Sequence, residues 1–407
     1  MKKAALNVFA EGVSVGRLDR SDREEDEILF SYHADCTPRG AVSLTMPVRV
    51  DQYDAMGGLL PIFEMNLPEG ALRERLSNQF AKAIPEFDDL DLLSIVGSSQ
   101  IGRLRYSTRE QLIEEIPTQD LDDILTYTGT ADLFATLLER FATYSGISGM
   151  QPKVLIRERD VPPPKLVHHG ATHIVKAFDP AVYPELAANE FICMRGAAAA
   201  GILTPTVRLA ENRRLLVVDR FDLTSNGVYL GIEDFCVLEG RRAHGRYDGS
   251  YENIAKRISD FVSPEALPHA REQYALMVAY ACAIENGDAH LKNFSVIYEN
   301  PEEPVRLAPA YDLVATTPYL PKDTLALTLD GSKQFPDRER LLRFIRLVTG
   351  KGKRSAIQLL DQVKQGVDTA MREARTYGDA HRDARKFTER LIAALSRGLQ
   401  RITRVAP

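Results

Sequence analysis

The chain has 407 residues, 44% of them hydrophobic and 27% charged, with a formal net charge of −6 at pH 7. That length supports one large domain or a few ordinary ones, and the acidic balance lacks the global basic footprint of free-standing nucleic-acid binding. Cys36, Cys193, Cys236 and Cys282 stand singly among apolar neighbours without a CxxC pair. This disfavours a disulfide scaffold and a zinc finger, and predicts buried free thiols. The opening MKKAALNVFAEGVSVG starts like a signal peptide, but Asn7 and Glu11 interrupt its apolar run. No stretch has the length of a membrane span, so a reduced, cytoplasmic protein with no membrane association is expected.

In chain order, residues 4–50 read as β-rich. Ala5–Ala10 and Val13–Leu18 flank Glu11-Gly12, an acidic-Gly pair suited to a tight hairpin, and Ile28–Tyr32 and Val42–Met46 are further short strands. Phe63–Lys82 is helical in pattern, with Leu72, Leu76 and Phe80 at helical spacing. A short helix and a Gly-flanked strand in DDLDLLSIVGSSQIGRLRY complete a small α+β module. The polar stretch 115–130 is expected to be a linker, and Ala131–Tyr144 a helix. Strands Val154–Arg157 and Thr172–Phe178 enclose a Pro-rich turn containing His168 and His169. Tyr183–Ala200 reads as a helix with Pro184 in its first turn and Gly201 at its end. Strands Pro205–Leu209 and Arg214–Phe221 follow, and from about residue 251 the pattern is mostly helical. Ala275–Ile284 is apolar nearly all round, as a buried central helix would be. A hairpin of Phe294–Tyr298 and Pro304–Leu307 precedes helices at 337–349, 355–374 and 380–402. The expected fold is α+β, with a β-rich part and then a helical lobe. Domains are expected at 1–115 (β-rich subdomain), 131–250 (an N-lobe with loop and hinge) and 251–407 (a helical C-lobe). A nucleotide is accommodated by such bilobal layouts in the cleft between lobes.

The string ENGDAHLKNFSVIY, residues 285–298, holds most of the chemistry. Phosphoryl transfer needs a carboxylate near the attacking hydroxyl and oxygen ligands for Mg²⁺, and Asp288 with Asn293 five residues on supplies both types. The alternative is a loop in which both merely bond local backbone. Nineteen residues beyond Asn293, Asp312 follows a strand-like run in APAYDLVATTPY, where a second metal-binding carboxylate is needed. Lys176, inside the strand HIVKAF, can reach nucleotide phosphates with Glu190 of the next helix as ion-pair partner, or can be an outward residue of an alternating strand. In YSGISGMQPK, residues 144–153, Gly146 and Gly149 permit close backbone approach and positive φ, so that N–H groups can turn toward phosphate; Lys153 contacts phosphate or flanks the next strand. VVDRFD, residues 217–222, is a hinge candidate, the backbone of Asp219, Arg220 and Phe221 meeting adenine, or an ordinary strand end. His290 has no second His or Cys at ligand spacing, which points to loop hydrogen bonding or phosphate contact rather than zinc.

Together, SGMQPK, the Asn189-Glu190 pair, DRFD, EDFC at 233–236, GDAHLKNFSV and YDL resemble the HipA family of serine/threonine kinases, the toxins of bacterial toxin–antitoxin pairs. The resemblance runs over nearly the whole chain and implies a fold like that of protein and phosphoinositide kinases. It implies ATP and Mg²⁺ as cofactors, Asp288 as catalytic aspartate, and Asn293 and Asp312 as Mg²⁺ ligands. The ATP-binding residues it implies are Ser148, Gly149, Met150, Gln151, Lys153, Lys176, Asp219, Arg220, Phe221, His290, Lys292 and Tyr311. It also implies a HipB-like DNA-binding antitoxin as partner, operator DNA reached only through that complex, and a substrate such as an aminoacyl-tRNA synthetase. Several members of the family phosphorylate a serine in the Gly-rich loop. This chain departs from their pattern in having Gly146 where they carry that serine, so Ser148 is the expected autophosphorylation site, with Ser145 just upstream.

Two other readings use the same strings. Aminoglycoside-type phosphotransferases share a GD-x-x-x-x-N loop and a later Asp, but lack a module like residues 1–110 and the SGMQPK loop. A non-catalytic pseudokinase scaffold in a DNA-bound complex is disfavoured because every residue needed for chemistry is present. The Arg-rich stretch 372–404 reads as a solvated helix face rather than a phosphate-contacting surface.

Overall fold

In the computed structural model, which describes residues 5–21, 27–80, 84, 87–112, 116–129, 132–159 and 170–404, the first alternating segments close into an antiparallel sheet. β1 (Leu6–Ala10) and β2 (Val13–Arg20) form the expected hairpin. Its turn residues Glu11 (φ 51°) and Gly12 (φ 81°) are both left-handed, which matches the twist of the flanking strands. β3 (Glu27–Tyr32), β4 (Tyr53–Met56) and β5 (Leu104–Ser107) complete the order β4-β3-β2-β1-β5. Between β4 and β5 come α1 (Pro61–Glu64), α2 (Gly70–Phe80) and α3 (Asp89–Val96), so the helical pattern from Phe63 is two helices. Asp88 starts α3 by accepting the Asp91 N–H at 3.0 Å in a reciprocal capping box. Phe30, Phe63 and Tyr106 pack ring against ring at 5.0 and 5.9 Å in the core of this module.

The strand expected at Val42–Met46 is absent. Its backbone is held by side chains instead: the Val42 N–H donates to the Tyr32 hydroxyl at 2.9 Å, and the Leu44 N–H donates to Glu233 at 2.8 Å. Glu233 is fully buried and also accepts from Ser43 Oγ at 2.6 Å and from Tyr298, so it anchors this segment. β4, which the sequence reading missed, pairs with β3 in its place.

The expected linker is structured where it is described. β6 (Thr118–Gln119) pairs in parallel with β7 (Lys153–Glu158), and α4 (Leu121–Leu125) buries Leu121 and Ile124. Its acidic run is misleading because Asp120 caps the helix, accepting the Asp122 N–H at 2.9 Å. α5 (Leu133–Phe141) leads into β7, and β8 (His173–Ala177) returns antiparallel to it. Lys82, Ala131 and the Pro-rich turn with His168 and His169 lie outside the described residues.

The chain divides into two compact units. The first comprises Met1–Ala177, Ala210–Ala243 and Ile297–Pro304; the second comprises Phe178–Leu209, His244–Val296 and Val305–Pro407. The second unit begins with α6 (Leu186–Ala199) and β9 (Val207–Leu209). Pro184 is not in the first turn of α6, because Glu185 adopts φ 60° and the helix starts only after it. Gly201, at φ 77°, closes the helix as expected. The first unit resumes with β10 (Leu215–Asp219), β11 (Gly231–Asp234) and α7 (Phe235–Leu238), and its strands of the second sheet run β6-β7-β8-β10.

The remainder of the second unit holds α8 (Tyr251–Phe261), α9 (Leu267–Ala283), β12 (Ser295–Tyr298, which ends in the first unit), β13 (Arg306–Leu307), α10 (Arg338–Thr349), α11 (Lys353–Ala380) and α12 (Arg385–Thr403). From Gln273 to Ala283 every residue of α9 is buried, as its apolar run predicts. α11 runs on to Ala380, past the expected end at 374. Cys193, Cys236 and Cys282 are buried free thiols, whereas Cys36 is half-buried. Burial pushes the Cys193 and Cys282 thiols up to about 12, which keeps them protonated. Among the described residues no helix is long and apolar enough to cross a membrane.

Candidate functional site

In the second unit, the end of α9 sets up the Asp288 loop. Glu285 turns the chain at φ 56°, and Asn286 Oδ1 accepts the Asp288 N–H at 2.9 Å, which places Asp288 at the surface of a tight turn. The Gly287 N–H donates to Thr316 Oγ1 at 2.9 Å, and a Cβ on Gly287 would meet the Asp323 carboxylate and the Thr324 carbonyl. Asp288 Oδ1 accepts a hydrogen bond from the Tyr247 hydroxyl at 2.8 Å. Desolvation by the surrounding groups holds the Asp288 carboxyl above the usual carboxylate range. Repulsion from Asp312 and Asp323 adds to this rise, while the Tyr247 bond opposes it.

Asn293 ends a short turn, Leu291–Asn293, and its Oδ1 accepts the His290 N–H at 3.1 Å, leaving its second lone pair. The strand-like run before Asp312 is not a strand, since β13 ends at Leu307. Asp312 lies beyond β13 in irregular backbone at φ 56°, a left-handed conformation that Asp tolerates better than most residues. Asn293 and Asp312 nevertheless line one pocket with Asn286, Tyr311 and Phe294. Their neighbours tie them together: the Tyr311 hydroxyl donates to the Lys292 carbonyl at 2.7 Å and accepts from Ser295. An amide oxygen and a carboxylate, beside further repelling carboxylates, are the hard donors a Mg²⁺ ion takes. These residues fit that ion. His290 is buried with its ring edge-on to Tyr247 at 5.0 Å. Burial, then Arg246 and Lys292, push its imidazole down to about 4, so it is neutral at pH 7 and brings no positive charge to a phosphate.

In the first unit, Lys153 and Lys176 are direct partners in the β7–β8 register, and both are buried. Directly opposed residues of an antiparallel pair point to the same face, and two like charges there are unfavourable without anionic oxygens nearby. Gly149 stands at φ 120°, backbone that strains any L side chain, and it lies against Lys153, whose Nζ is 2.4 Å from where a Cβ would be. Gly146 behaves differently from expectation. Its φ is not positive; its N–H donates to Ser99 O at 2.9 Å, and its carbonyl accepts the Ile101 N–H at 3.2 Å, joining the loop to the N-terminal module. Ser145 is fully buried, donating to Phe141 O at 2.7 Å and accepting the Leu155 N–H at 2.9 Å. Ser148 is partly exposed and donates to Glu69 at 3.1 Å, while Met150 is exposed and Gln151 half-buried. At the end of β10, Asp219 Oδ1 lies 3.3 Å from His173 Nε2 and Phe221 is half-buried. The Arg220 guanidinium is buried, bonded to Asp222 at 2.6 Å and to Gln100 O at 2.9 Å.

Several contributors were not found from the sequence. Glu285, buried in front of the Asp288 loop, pairs with Arg397 at 2.8 Å and Arg401 at 3.0 Å, and accepts from Thr317 at 2.6 Å. Those two arginines of α12 therefore hold a carboxylate and are not simply solvated. Asn189 of α6 is bonded in both directions to Ala315, donating at 2.8 Å and accepting at 3.1 Å, while the neighbouring Glu190 is buried. Tyr247, Asp323 and Glu69 belong to no recognisable spacing, so only their contacts reveal them.

Residues 6–107 match the model of the HipA N-terminal domain, and residues 145–371 match that of the HipA-like C-terminal domain. Y4mE of Sinorhizobium fredii, named as a candidate kinase, is 30% identical over 341 residues, covering 78% of this chain and 79% of that protein. Y4dM of the same organism, similarly named, is 28% identical over 294 residues, covering 67% and 66%. Among solved structures, HipA from the Shewanella oneidensis complex of HipA, HipB and operator DNA superposes with a TM-score of 0.68 at 18% identity, covering 99% of this chain and 100% of that one. The shared α+β fold thus spans both units, and with both domain models matched in order, this chain belongs to the HipA family.

Proposed function

We propose that this chain is an ATP- and Mg²⁺-dependent serine/threonine protein kinase acting as a HipA-like toxin. The observation that supports it most is the pairing of Asn293 with Asp312 in one pocket, locked by the Tyr311–Lys292 bond, with the carboxylate of Asp288 close enough to feel Asp312. The acceptor hydroxyl oxygen bonds to the γ-phosphorus as the bond to the ADP oxygen breaks, and the hydroxyl proton passes to Asp288. Asn293 and Asp312 would hold Mg²⁺, which supplies charge neutralisation on the phosphates. Lys153 and Lys176 would bind phosphate oxygens beneath the Gly149 loop, and Asp219–Phe221 would meet adenine. The expected substrate is a translation factor such as an aminoacyl-tRNA synthetase, in the cytoplasm, and the expected partner is a HipB-like antitoxin that alone brings the chain to operator DNA. The test is transfer of labelled γ-phosphate from ATP to proteins of a bacterial lysate, comparing wild type with Asp288→Asn and Asp312→Asn. Equal labelling by all three would overturn the reading.

Autophosphorylation at Ser148 is part of the same proposal. Of the two loop serines, Ser145 is sealed by its own hydrogen bonds, whereas Ser148 is reachable. A phosphoryl group there adds about −1.5 to −2 charges directly against Glu69, which drives the loop away from the start of α2. Mass spectrometry after incubation with Mg-ATP is expected to find phosphate on Ser148 and none on Ser145. A loop that stays unmodified would sink this part alone.

A further inference from the structure

The segment from Arg246 to Tyr251 touches the Asp288 loop at three successive points. The Tyr247 hydroxyl donates to Asp288 Oδ1 at 2.8 Å, the Tyr251 hydroxyl donates to the Ala289 carbonyl at 3.0 Å, and the Arg246 carbonyl accepts the Leu291 N–H at 3.1 Å. Tyr251 is fully buried and its backbone carbonyl is held by the Tyr274 hydroxyl at 2.8 Å, so this strap is fastened to α9. Ser250 caps α8 by accepting the Asn253 N–H at 3.1 Å, which sets the angle at which the strap leaves the helix. Tyr247 differs from Tyr251 in being 45% exposed, with its ring edge against neutral His290. Packing alone does not require an exposed tyrosine hydroxyl bonded to a carboxylate that two negative neighbours, Asp312 and Asp323, would otherwise push aside.

We infer that Tyr247 is a positioning residue for phosphoryl transfer: it occupies Oδ1 of Asp288 and so leaves Oδ2 as the atom that meets the acceptor hydroxyl. This rests on the kinase reading above. Among the described residues Oδ2 accepts no hydrogen bond, and Asp288 has Tyr247 as its one side-chain donor. Asp312 and Asp323 repel the carboxylate, so without the Tyr247 bond its preferred orientation changes. A group placed about 1 Å off its productive geometry forfeits much of the rate, because the bound hydroxyl must lie within hydrogen-bond reach of the base.

The test uses the full chain and Tyr247→Phe, which removes one oxygen from an exposed ring. Wild type and variant are crystallised under one condition, and both are assayed with Mg-ATP and casein as a serine-containing acceptor. The expected crystallographic result is an Asp288 carboxylate rotated from its wild-type orientation or split between conformers. The expected kinetic result is a kcat lowered about tenfold with the KM for ATP unchanged, because Phe keeps the ring against His290 and loses only the hydroxyl on the base. An unchanged carboxylate orientation overturns the inference, as does an unchanged kcat. A fall in kcat with an equal loss of ATP binding and a lowered melting temperature also overturns it, since that is the signature of a merely structural residue. A wild-type chain that phosphorylates nothing would sink the kinase reading, and the crystallographic comparison would still decide the role of Tyr247.

Discussion

Asp288→Asn is expected to lower phosphoryl transfer by about 10³-fold while leaving the folded chain at least as stable as wild type at neutral pH. The two effects have one cause. Desolvation and the neighbouring Asp312 and Asp323 raise the Asp288 pKa above its unfolded value, so ionising Asp288 costs more in the folded chain than in the unfolded one. For a carboxyl shifted upward, the folded state binds the proton more tightly. The penalty is therefore present above the folded pKa and fades as pH falls through the carboxylate range. Asn removes the charge, keeps an oxygen that can accept from Tyr247, and loses only the proton acceptor. Because Asp288 is exposed, the gain in stability is expected to be small and is read as a direction. Thermal melts at neutral and acid pH test this, with the wild-type deficit shrinking in acid. A variant that transfers phosphate at the wild-type rate rules Asp288 out as the base; one that melts well below wild type rules out the electrostatic account.

The second large effect is on stability. Glu285→Gln is expected to destabilise the second unit by about 3 kcal/mol, because two arginines and Thr317 converge on a buried carboxylate. The figure sits at the low end for a broken buried pair because Arg397 is 54% exposed and solvent partly compensates it. For a unit of this size the shift is on the order of 6–12 °C in the melting transition that reports it. The loss should extend to the Asp288 loop. The Glu285 carbonyl accepts the Thr316 N–H at 3.1 Å and the Thr316 hydroxyl at 3.1 Å, and Thr316 in turn accepts from Gly287. The contact between α12 and α9 is also unforgiving there: a Cβ on Gly398 would lie 2.0 Å from the Ala283 carbonyl, so α12 approaches α9 only through glycine. A Glu285→Gln chain that melts with wild type shows that the arginines are solvated and the cluster is incidental.

Elements governed by neighbouring residues were legible in the sequence. The Glu11-Gly12 hairpin, the all-round apolar α9 and the Gly201 helix end all follow from local backbone preference or from a short apolar period. Errors arose where distant groups overrode that preference. Residues 42–46 have strand composition but spend their backbone hydrogen bonds on Tyr32 and Glu233, the latter nearly two hundred positions away. The polar stretch 115–130 read as a linker, yet Asp120 within it is a helix cap and Leu121 and Ile124 are buried.

The candidate site divides in the same way. The sequence by itself determined the kinds and order of the chemical groups, since Asp288, His290, Asn293 and Asp312 stand in two strings whose residue types and spacing are read directly along the chain. Only the tertiary structure decided how those groups are held and in what state. It closed Gly149 over Lys153 and opposed that lysine to Lys176, and it gave Gly146 a structural bond. It also made His290 neutral, set Asp312 in irregular left-handed backbone, and brought Tyr247 onto Asp288 across 41 residues and Arg397 onto Glu285 across 112. Spacing along the chain records which groups are present, but orientation, burial and charge state depend on neighbours that only folding brings within a few ångströms.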